Sequence, residues 1–295
     1  MRHPLLLSLF ILANAHSLPA QIIPEALQAF PTQTEVIEYE NLASLRALPN
    51  YDSLQQQFCG KPLAQAKAAL QKLGILESQV NEMVIGTSPG TVYGLLGGTF
   101  NGAQAAKAAI KKGLLPVRLE NSQMFCPGVG TCLLFFEDWL AGFGAPSQLK
   151  TMLQARQGVI ANLSLNRILV QLMNNTANSA PVRGAASGGQ LLSVLTKELS
   201  DKTGFAIDWP QFYSGISVFA YSVTLDSQMH VNVSLACKST LVASLLTQTL
   251  TMLANVQSAA VKAGKDPDNL PFQNLEVVSS ENIMDLRMDT KIPTP

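Results

Sequence analysis

Short apolar runs recur in pairs along this sequence and predict β-hairpins. The most prominent pair spans residues 117–139, where two apolar runs flank a Pro-Gly turn that lies between Cys126 and Cys132. Further pairs lie at residues 80–87 with 91–100 and at residues 215–225 with 230–236. Each pair has Gly, Pro, Asp or Ser in its connection, and these residues favour the tight turns that join antiparallel strands.

A second pattern, apolar residues at steps of three and four, predicts helices between these hairpins. Helices are expected at residues 61–73, 103–112, 148–157, 165–173, 190–203 and 240–263. Asn101 is a favourable N-cap, and Gly74, Gly113, Gly158 and Gly204 are placed to end four of the helices. Single strands are expected at residues 35–40 and 181–186, and residues 275–292 should form one bent strand or two.

The longest predicted helix, at residues 240–263, has an apolar stripe interrupted by uncharged polar residues. The apolar positions are Leu241, Leu245, Met252, Leu253 and Val256. The polar positions are Gln248, Thr249, Thr251, Asn255 and Gln257. We expect the apolar stripe to face the core, and the alternative is an interfacial or partner-binding helix.

Hairpins alternate with helices in both halves of the chain, and this order predicts an α+β protein. We expect two related layers of mostly antiparallel sheet with packed helices, because a parallel sheet would require regular βαβ alternation. The expected organisation is a signal peptide at residues 1–20, an extended lead-in at 21–35, a first α+β unit at 36–158 and a second at 159–295. The lead-in is expected to be extended because its prolines, Pro24 and Pro31, disfavour a continuous helix.

The N-terminal residues are typical of a secretory signal peptide. Residues 1–3 (MRH) give a basic start, residues 5–12 are an apolar stretch too short to span a bilayer, and residues 13–15 (ANA) form an A-x-A cleavage site. Residues 18–20 offer a second cleavage site. The alternative, a buried N-terminal helix, is disfavoured by Pro4. We therefore expect a periplasmic or extracellular protein whose mature chain has no transmembrane helix.

Composition narrows the possible partners. The chain has 295 residues, of which 47% are hydrophobic and only 14% are charged, with 20 basic and 20 acidic residues. A chain of this length can bury a large core. Nucleic acid is not expected as a partner, because counterion release at a phosphate backbone requires a basic surface. The expected partner is a protein or small molecule of the cell envelope.

Export changes the interpretation of the four cysteines. In an oxidising compartment, Cys126 and Cys132 are expected to form a disulfide that staples the central hairpin. A redox role is disfavoured because the spacing of these two residues does not match C-x-x-C. Cys59 and Cys237 could form a second bridge or remain two free buried thiols, and the sequence leaves both possibilities open.

Catalytic chemistry has little support in the sequence. Only His230 lies well inside the mature chain, which disfavours histidine-based triads and zinc sites. One enzyme pattern is present, since Ser147 and Lys150 form an S-x-x-K that is followed by S-x-N at residues 164–166 and K-T-G at residues 202–204. Ser147 would be the nucleophile of a penicillin-binding type of acyl transferase, activated by Lys150. Against this alternative, the K-T-G lies at a predicted helix end rather than on a strand.

The remaining motifs are expected to be structural. The Gly-rich stretches at residues 94–102 and 184–189 match neither the dinucleotide fingerprint nor the P-loop, so we expect tight turns and close packing there. Glu38 and Glu40 share one face of a predicted strand, and we expect that face to be solvated. No cofactor or metal site is expected.

Four segments resemble a family of exported bacterial proteins of uncharacterised function. They are NLASLR at residues 41–46, LLGGTFN at 95–101, FG at 143–144 with LKTML at 149–153 and AR at 155–156, and residues 275–292. The resemblance implies a duplicated α+β architecture without a known activity and supplies no catalytic residues. The uncharged polar surface, the scarcity of histidine and the lack of a coherent catalytic set favour a non-catalytic binding or interaction module. The alternatives are the S-x-x-K acyl transferase and an envelope structural protein that self-associates through a sheet edge.

Overall fold

Twelve strands of the described chain lie side by side in one antiparallel sheet. The structure is a computed structural model, and it describes residues 22–55, 60–127, 130–187, 214–264 and 273–290. Helices pack on both faces of the sheet, so the expected α+β class is confirmed. The helix and K-T-G motif expected at residues 190–204, the signal peptide and Cys59 lie outside the described residues.

The centre of the sheet is strand β1 (Val36–Asn41), which pairs with β2 (Val80–Ser88) on one side and β8 (Val182–Ser187) on the other. Beyond β2 the order continues with β3 (Thr91–Gly98), β7 (Leu140–Gly144), β6 (Cys132–Glu137), β5 (Ser122–Phe125) and β4 (Val117–Leu119). Beyond β8 it continues with β9 (Ile216–Leu225), β10 (Met229–Cys237), β12 (Ile283–Thr290) and β11 (Gln273–Ser280). Strands from residues 36–158 therefore lie on one side of the β1–β8 pair, and strands from residues 159–295 on the other.

The helices fall between the strands much as the apolar spacing predicts. They are α1 (Ile22–Ala29), α2 (Leu42–Arg46), α3 (Tyr51–Leu54), α4 (Gly60–Leu73), α5 (Gly102–Lys111), α6 (Pro146–Arg156), α7 (Arg167–Asn175) and α8 (Thr240–Lys262). The Asn101 side chain caps α5 by accepting a 2.8 Å hydrogen bond from the Gln104 amide. Gly74, Gly113 and Gly158 follow α4, α5 and α6 with φ angles of 80°, 84° and 73°, a backbone region that favours glycine at helix ends.

Helix α1 corrects the expectation of an extended lead-in at residues 21–35. Pro24 is the third residue of this helix, where its missing N–H would have no intrahelical partner in any case. Ile22, Ala26 and Ala29 are fully buried on one side of α1. Burial of that side against the sheet favours the helix in spite of the proline.

The core lies on both faces of the sheet. On one face, α1, α6 and α7 pack over a cluster that includes Ile37 and Tyr39. On the other face, α2, α4 and α5 pack over a cluster that includes Met83 and Val182, and α8 packs over a third cluster around Leu235. Because β1 is central and helices cover both of its faces, its side chains are buried or half-buried.

Candidate interaction surface

A buried polar cluster lies on the α7 face of the sheet at the β1–β8 pair. The Tyr39 hydroxyl donates a 2.7 Å hydrogen bond to Glu82, and the Arg183 guanidinium stacks on the Tyr39 ring and donates to Asn178. Burial, and then the hydrogen bond to Glu82, raises the pKa of Tyr39, whereas burial lowers the pKa of Arg183. Sequence reasoning missed this cluster because its members are far apart in the chain.

Glu38 and Glu40 lie on the opposite face of β1, and the expectation that this face is solvated is wrong. Glu40 is completely buried beside the cluster that α2, α4 and α5 cover. Burial, followed by repulsion from Glu40 and a hydrogen bond with it, raises the pKa of Glu38 well above its ordinary range. Two carboxyl groups that are this close favour a state in which at least one is protonated.

Neither polar cluster is a convincing site for a dissolved ligand. Glu40 is 0% exposed and Arg183 is 3% exposed, so their polar atoms are closed off from solvent. No group of three or more His, Cys, Asp or Glu side chains in the described residues could hold a metal ion. We therefore assign these residues to the interior of the fold.

The S-x-x-K residues lie on the surface of α6. Ser147 and Lys150 are both exposed, and no hydrogen bond joins them. Ser164 is also exposed and hydrogen-bonds to Asn162 at 2.6 Å rather than to either of them. Among the described residues, therefore, no contact joins Ser147, Lys150 and Ser164, and the K-T-G motif lies outside them.

The cysteines and one of the Gly-rich stretches have structural roles. Cys126 and Cys132 form a disulfide at the start of β6, which confirms the staple across the central hairpin. Cys237 carries a free, buried thiol at the end of β10. Gly184 lies within β8, where a Cβ atom would come within 2.7 Å of the Tyr221 ring, so it permits close packing as expected.

Helix α8 presents the most unusual surface in the described chain. It begins where Ser239 accepts a 3.3 Å hydrogen bond from the Val242 amide, and it packs on β10, β11 and β12. Its buried side consists of Ala243, Leu246, Leu250 and Leu253. The described side chains from Asn255 to Lys262 are exposed, so the last turns of α8 make little packing contact.

The apolar stripe that we expected to face the core is mostly exposed. Leu241 is 69% exposed, Leu245 55%, Met252 51% and Val256 43%, and only Leu253 of the expected set is buried. We call the side of α8 that bears Leu241, Leu245, Gln248, Met252, Val256 and Ala259 the outer face. A shallow groove follows it from Thr247 to Ala259. From Thr240 to Val261 the helix contains no charged residue, which is rare for a solvent-facing surface.

Helix α8 packs next to a free edge of the sheet. Strand β11 is the last strand on the α8 side, and in the described residues it pairs only with β12. Glu276 is its only charged residue, and it contains no proline or lysine of the kind that commonly protects an exposed edge. The opposite edge is much shorter, because β4 has only three residues.

No helix in the described ranges is long and apolar enough to cross a membrane. The 23-residue helix α8 comes nearest in length, but its Thr, Ser, Gln and Asn residues lower its hydrophobicity.

The α+β fold is shared with proteins of known structure. Crystal form III of TP0453 superposes with a TM-score of 0.52 at 9% identity, covering 90% of this chain and 94% of that chain. Crystal form I of TP0453 gives a TM-score of 0.52 at 9% identity over 89% and 91% of the two chains. At this level of identity the similarity shows the fold alone. The chain matches no protein-family model and no curated protein sequence.

Proposed function

We propose that this protein is an exported, non-catalytic interaction module that binds a protein partner through the outer face of α8. The observation that carries the proposal is the exposure of Leu241, Leu245, Met252 and Val256 on one side of an uncharged helix. Monomeric proteins rarely leave contiguous apolar surface in water unless it has a binding role.

Export is supported by two independent features. Residues 1–20 carry the basic start, apolar stretch and small-residue cleavage pattern of a signal peptide. The disulfide between Cys126 and Cys132 suits an oxidising compartment. The protein would then work in the periplasm or outside the cell.

The order of strands supports an origin from two copies of one α+β unit, as the resemblance to exported bacterial proteins implies. In the first half the spatial order is β1-β2-β3-β7-β6, with the additional strands β5 and β4 beyond β6, and in the second it is β8-β9-β10-β12-β11. Helix α5 follows the third strand of the first unit, just as α8 follows the third strand of the second.

Comparison of these two helices supports a special role for α8. Helix α5 has 10 residues, whereas α8 has 23. The turns of α8 that follow Leu253 add little to the core, since the described side chains there are exposed. A binding role would explain why α8 continues beyond Leu253, which burial in the core does not explain.

A photoreactive amino acid at Met252 tests this proposal in the cells that produce the protein. The matched control places the same amino acid at Lys107, an exposed position of α5. We expect Met252 to form a cross-linked protein adduct, with a second copy of the chain or with another protein, and Lys107 to form none. Absence of any adduct at Met252, or equal adducts at both positions, would refute the docking role.

A further inference from the structure

The residues of the outer face are arranged symmetrically about the middle of α8. Leu241 and Ala259 lie nine residues to either side of position 250, and Gln248 and Met252 lie two residues to either side. Leu245 and Val256 are five and six residues from it. A surface with this spacing matches itself when a second helix is laid on it in the opposite direction.

We infer that the partner on the outer face is a second copy of this chain, with the two α8 helices antiparallel about a two-fold axis near Leu250. This inference rests on the proposed docking role of the outer face. In such a pair Leu241 lies opposite Ala259, Leu245 opposite Val256, and Gln248 opposite Met252. The large Leu241 side chain at one end of the face meets the small Ala259 side chain at the other end, which allows close helix packing. Each residue contact occurs twice, as in any two-fold dimer.

The charge of α8 favours self-association. A surface that meets its own copy brings identical groups near each other, so like charges there would repel. Lys262 is the only charged residue within α8, and it lies at the helix end away from the proposed axis. Gln248, Thr251 and Asn255 are uncharged and can hydrogen-bond across the interface. Between Leu241 and Ala259 two identical outer faces therefore bring no charges together, whereas Lys262 of one copy comes level with Lys238 of the other at the exposed ends of the pair, where solvent screens the repulsion.

A lipid surface suits the same residues less well. Helices that lie in a membrane interface usually carry many Lys or Arg residues on their polar side, which attract anionic headgroups. The polar residues of α8 are Thr, Ser, Gln and Asn, and only Lys238 and Lys262 flank the uncharged segment. The chain also has equal numbers of basic and acidic residues.

Sedimentation velocity of the purified mature protein tests the dimer. We expect a dimer for the wild type, a monomer for Leu245→Lys, and a dimer for the control Ser258→Lys, which adds the same charge at an exposed position off the outer face. All three proteins should give the same far-ultraviolet circular dichroism spectrum before unfolding, because neither substituted side chain is buried, and the thermal midpoint of the two dimers, but not of Leu245→Lys, should rise with protein concentration. A wild type that remains monomeric at hundreds of micromolar would overturn the inference.

Single spin labels test the orientation of the helices. In the antiparallel pair, labels at position 241 of the two copies should be about 27 Å apart along the helix axis, and labels at position 248 about 6 Å, from the 1.5 Å rise per residue. A parallel pair would place both pairs of labels close together and would contradict the proposed axis.

Three further outcomes distinguish failure of the dimer from failure of the docking role. If the wild type is monomeric and Met252 cross-links to a different protein, the second copy is excluded while the docking role stands. If the wild type floats with neutral or anionic phospholipid vesicles and Leu245→Lys does not, the face binds lipid and the dimer is excluded. If Met252 forms no adduct at all in cells, the docking role itself fails.

Discussion

The Arg183 guanidinium lies 5.0 Å from the centroid of the Tyr39 ring, directly across the central β1–β8 strand pair. Arg183 is almost completely buried, and its Nε atom has no hydrogen-bond partner among the described residues. The stacked ring and the hydrogen bond to Asn178 compensate only part of the desolvation of this charge. The middle of the sheet thus holds a charge where an apolar side chain would be easier to bury.

Two substitutions of Arg183 should distinguish what its packing contributes to the free energy of unfolding from what its charge contributes. We expect Arg183→Ala to lower the free energy of unfolding by about 3 kcal/mol, since it leaves a cavity and removes the partner of Asn178. Arg183→Met should cost less than half as much, because it fills the space without burying a charge. Urea unfolding followed by circular dichroism measures the free energy of unfolding of both variants. Equal decreases for Arg183→Ala and Arg183→Met would show that the charged contacts contribute more than the packing.

The carboxyl pair of half-buried Glu38 and buried Glu40 should make the free energy of unfolding depend on pH. The folded-state pKa of Glu38 is raised, so the folded protein holds a proton there that the unfolded chain releases above pH 4.5. The free energy of unfolding should therefore fall as the pH rises from about 4.5 towards the folded-state value. Gln at this position mimics the protonated acid, so Glu38→Gln should match the wild type at pH 4 and be more stable at pH 7. If the free energy of unfolding of Glu38→Gln differed from that of the wild type by the same amount at pH 4 and pH 7, this explanation would be wrong.

His230, which lies at the surface, should also make the free energy of unfolding fall as the pH rises. Its Nδ1 lies 2.7 Å from Asp289 and its Nε2 3.2 Å from Asp226, and these contacts, the first above all, raise its pKa from the ordinary 6.5. The stabilisation is complete below pH 6.5 and is lost as the pH rises through the folded-state pKa. A ¹H–¹⁵N NMR titration should find His230 above 6.5, with a lower value in Asp289→Asn. An unchanged value in the variant would show that Asp289 is not the main cause.

Sequence patterns predicted most elements but not which faces are buried. The boundaries of α4, α5 and β1 follow from periodicity and from Asn101 and Gly74, because capping and turn chemistry act locally. The single sheet that joins both halves depends on the β1–β8 pairing, which no local pattern encodes. For the same reason Glu40, in a short polar strand, was expected in water and lies in the core.

The disulfide and the signal peptide can be tested on one sample. Mass spectrometry of the mature protein should show an N-terminus after Ala15 or Ala20 and two fewer hydrogens at Cys126 and Cys132. The double substitution Cys126→Ala, Cys132→Ala should lower the free energy of unfolding by about 2 kcal/mol, the entropy expected for so short a loop. An uncleaved chain would refute export, and reduced cysteines in the native protein would refute the oxidising compartment.

Alanine substitutions on opposite sides of α8 test which stripe belongs to the core. Both stripes are apolar and have helical spacing, so periodicity alone could not choose between Leu246 and Leu241. The structure buries Leu246 at 2% exposure and leaves Leu241 in solvent. Leu246→Ala should therefore lower the free energy of unfolding by about 3 kcal/mol, and Leu241→Ala by about 0.5 kcal/mol or less when measured on the monomer. Because the two variants remove the same atoms from one helix, helix propensity is nearly the same for both, and the difference reports burial. A larger loss for Leu241→Ala would mean that α8 packs through its outer face, and the docking proposal would then have no exposed surface on which to act.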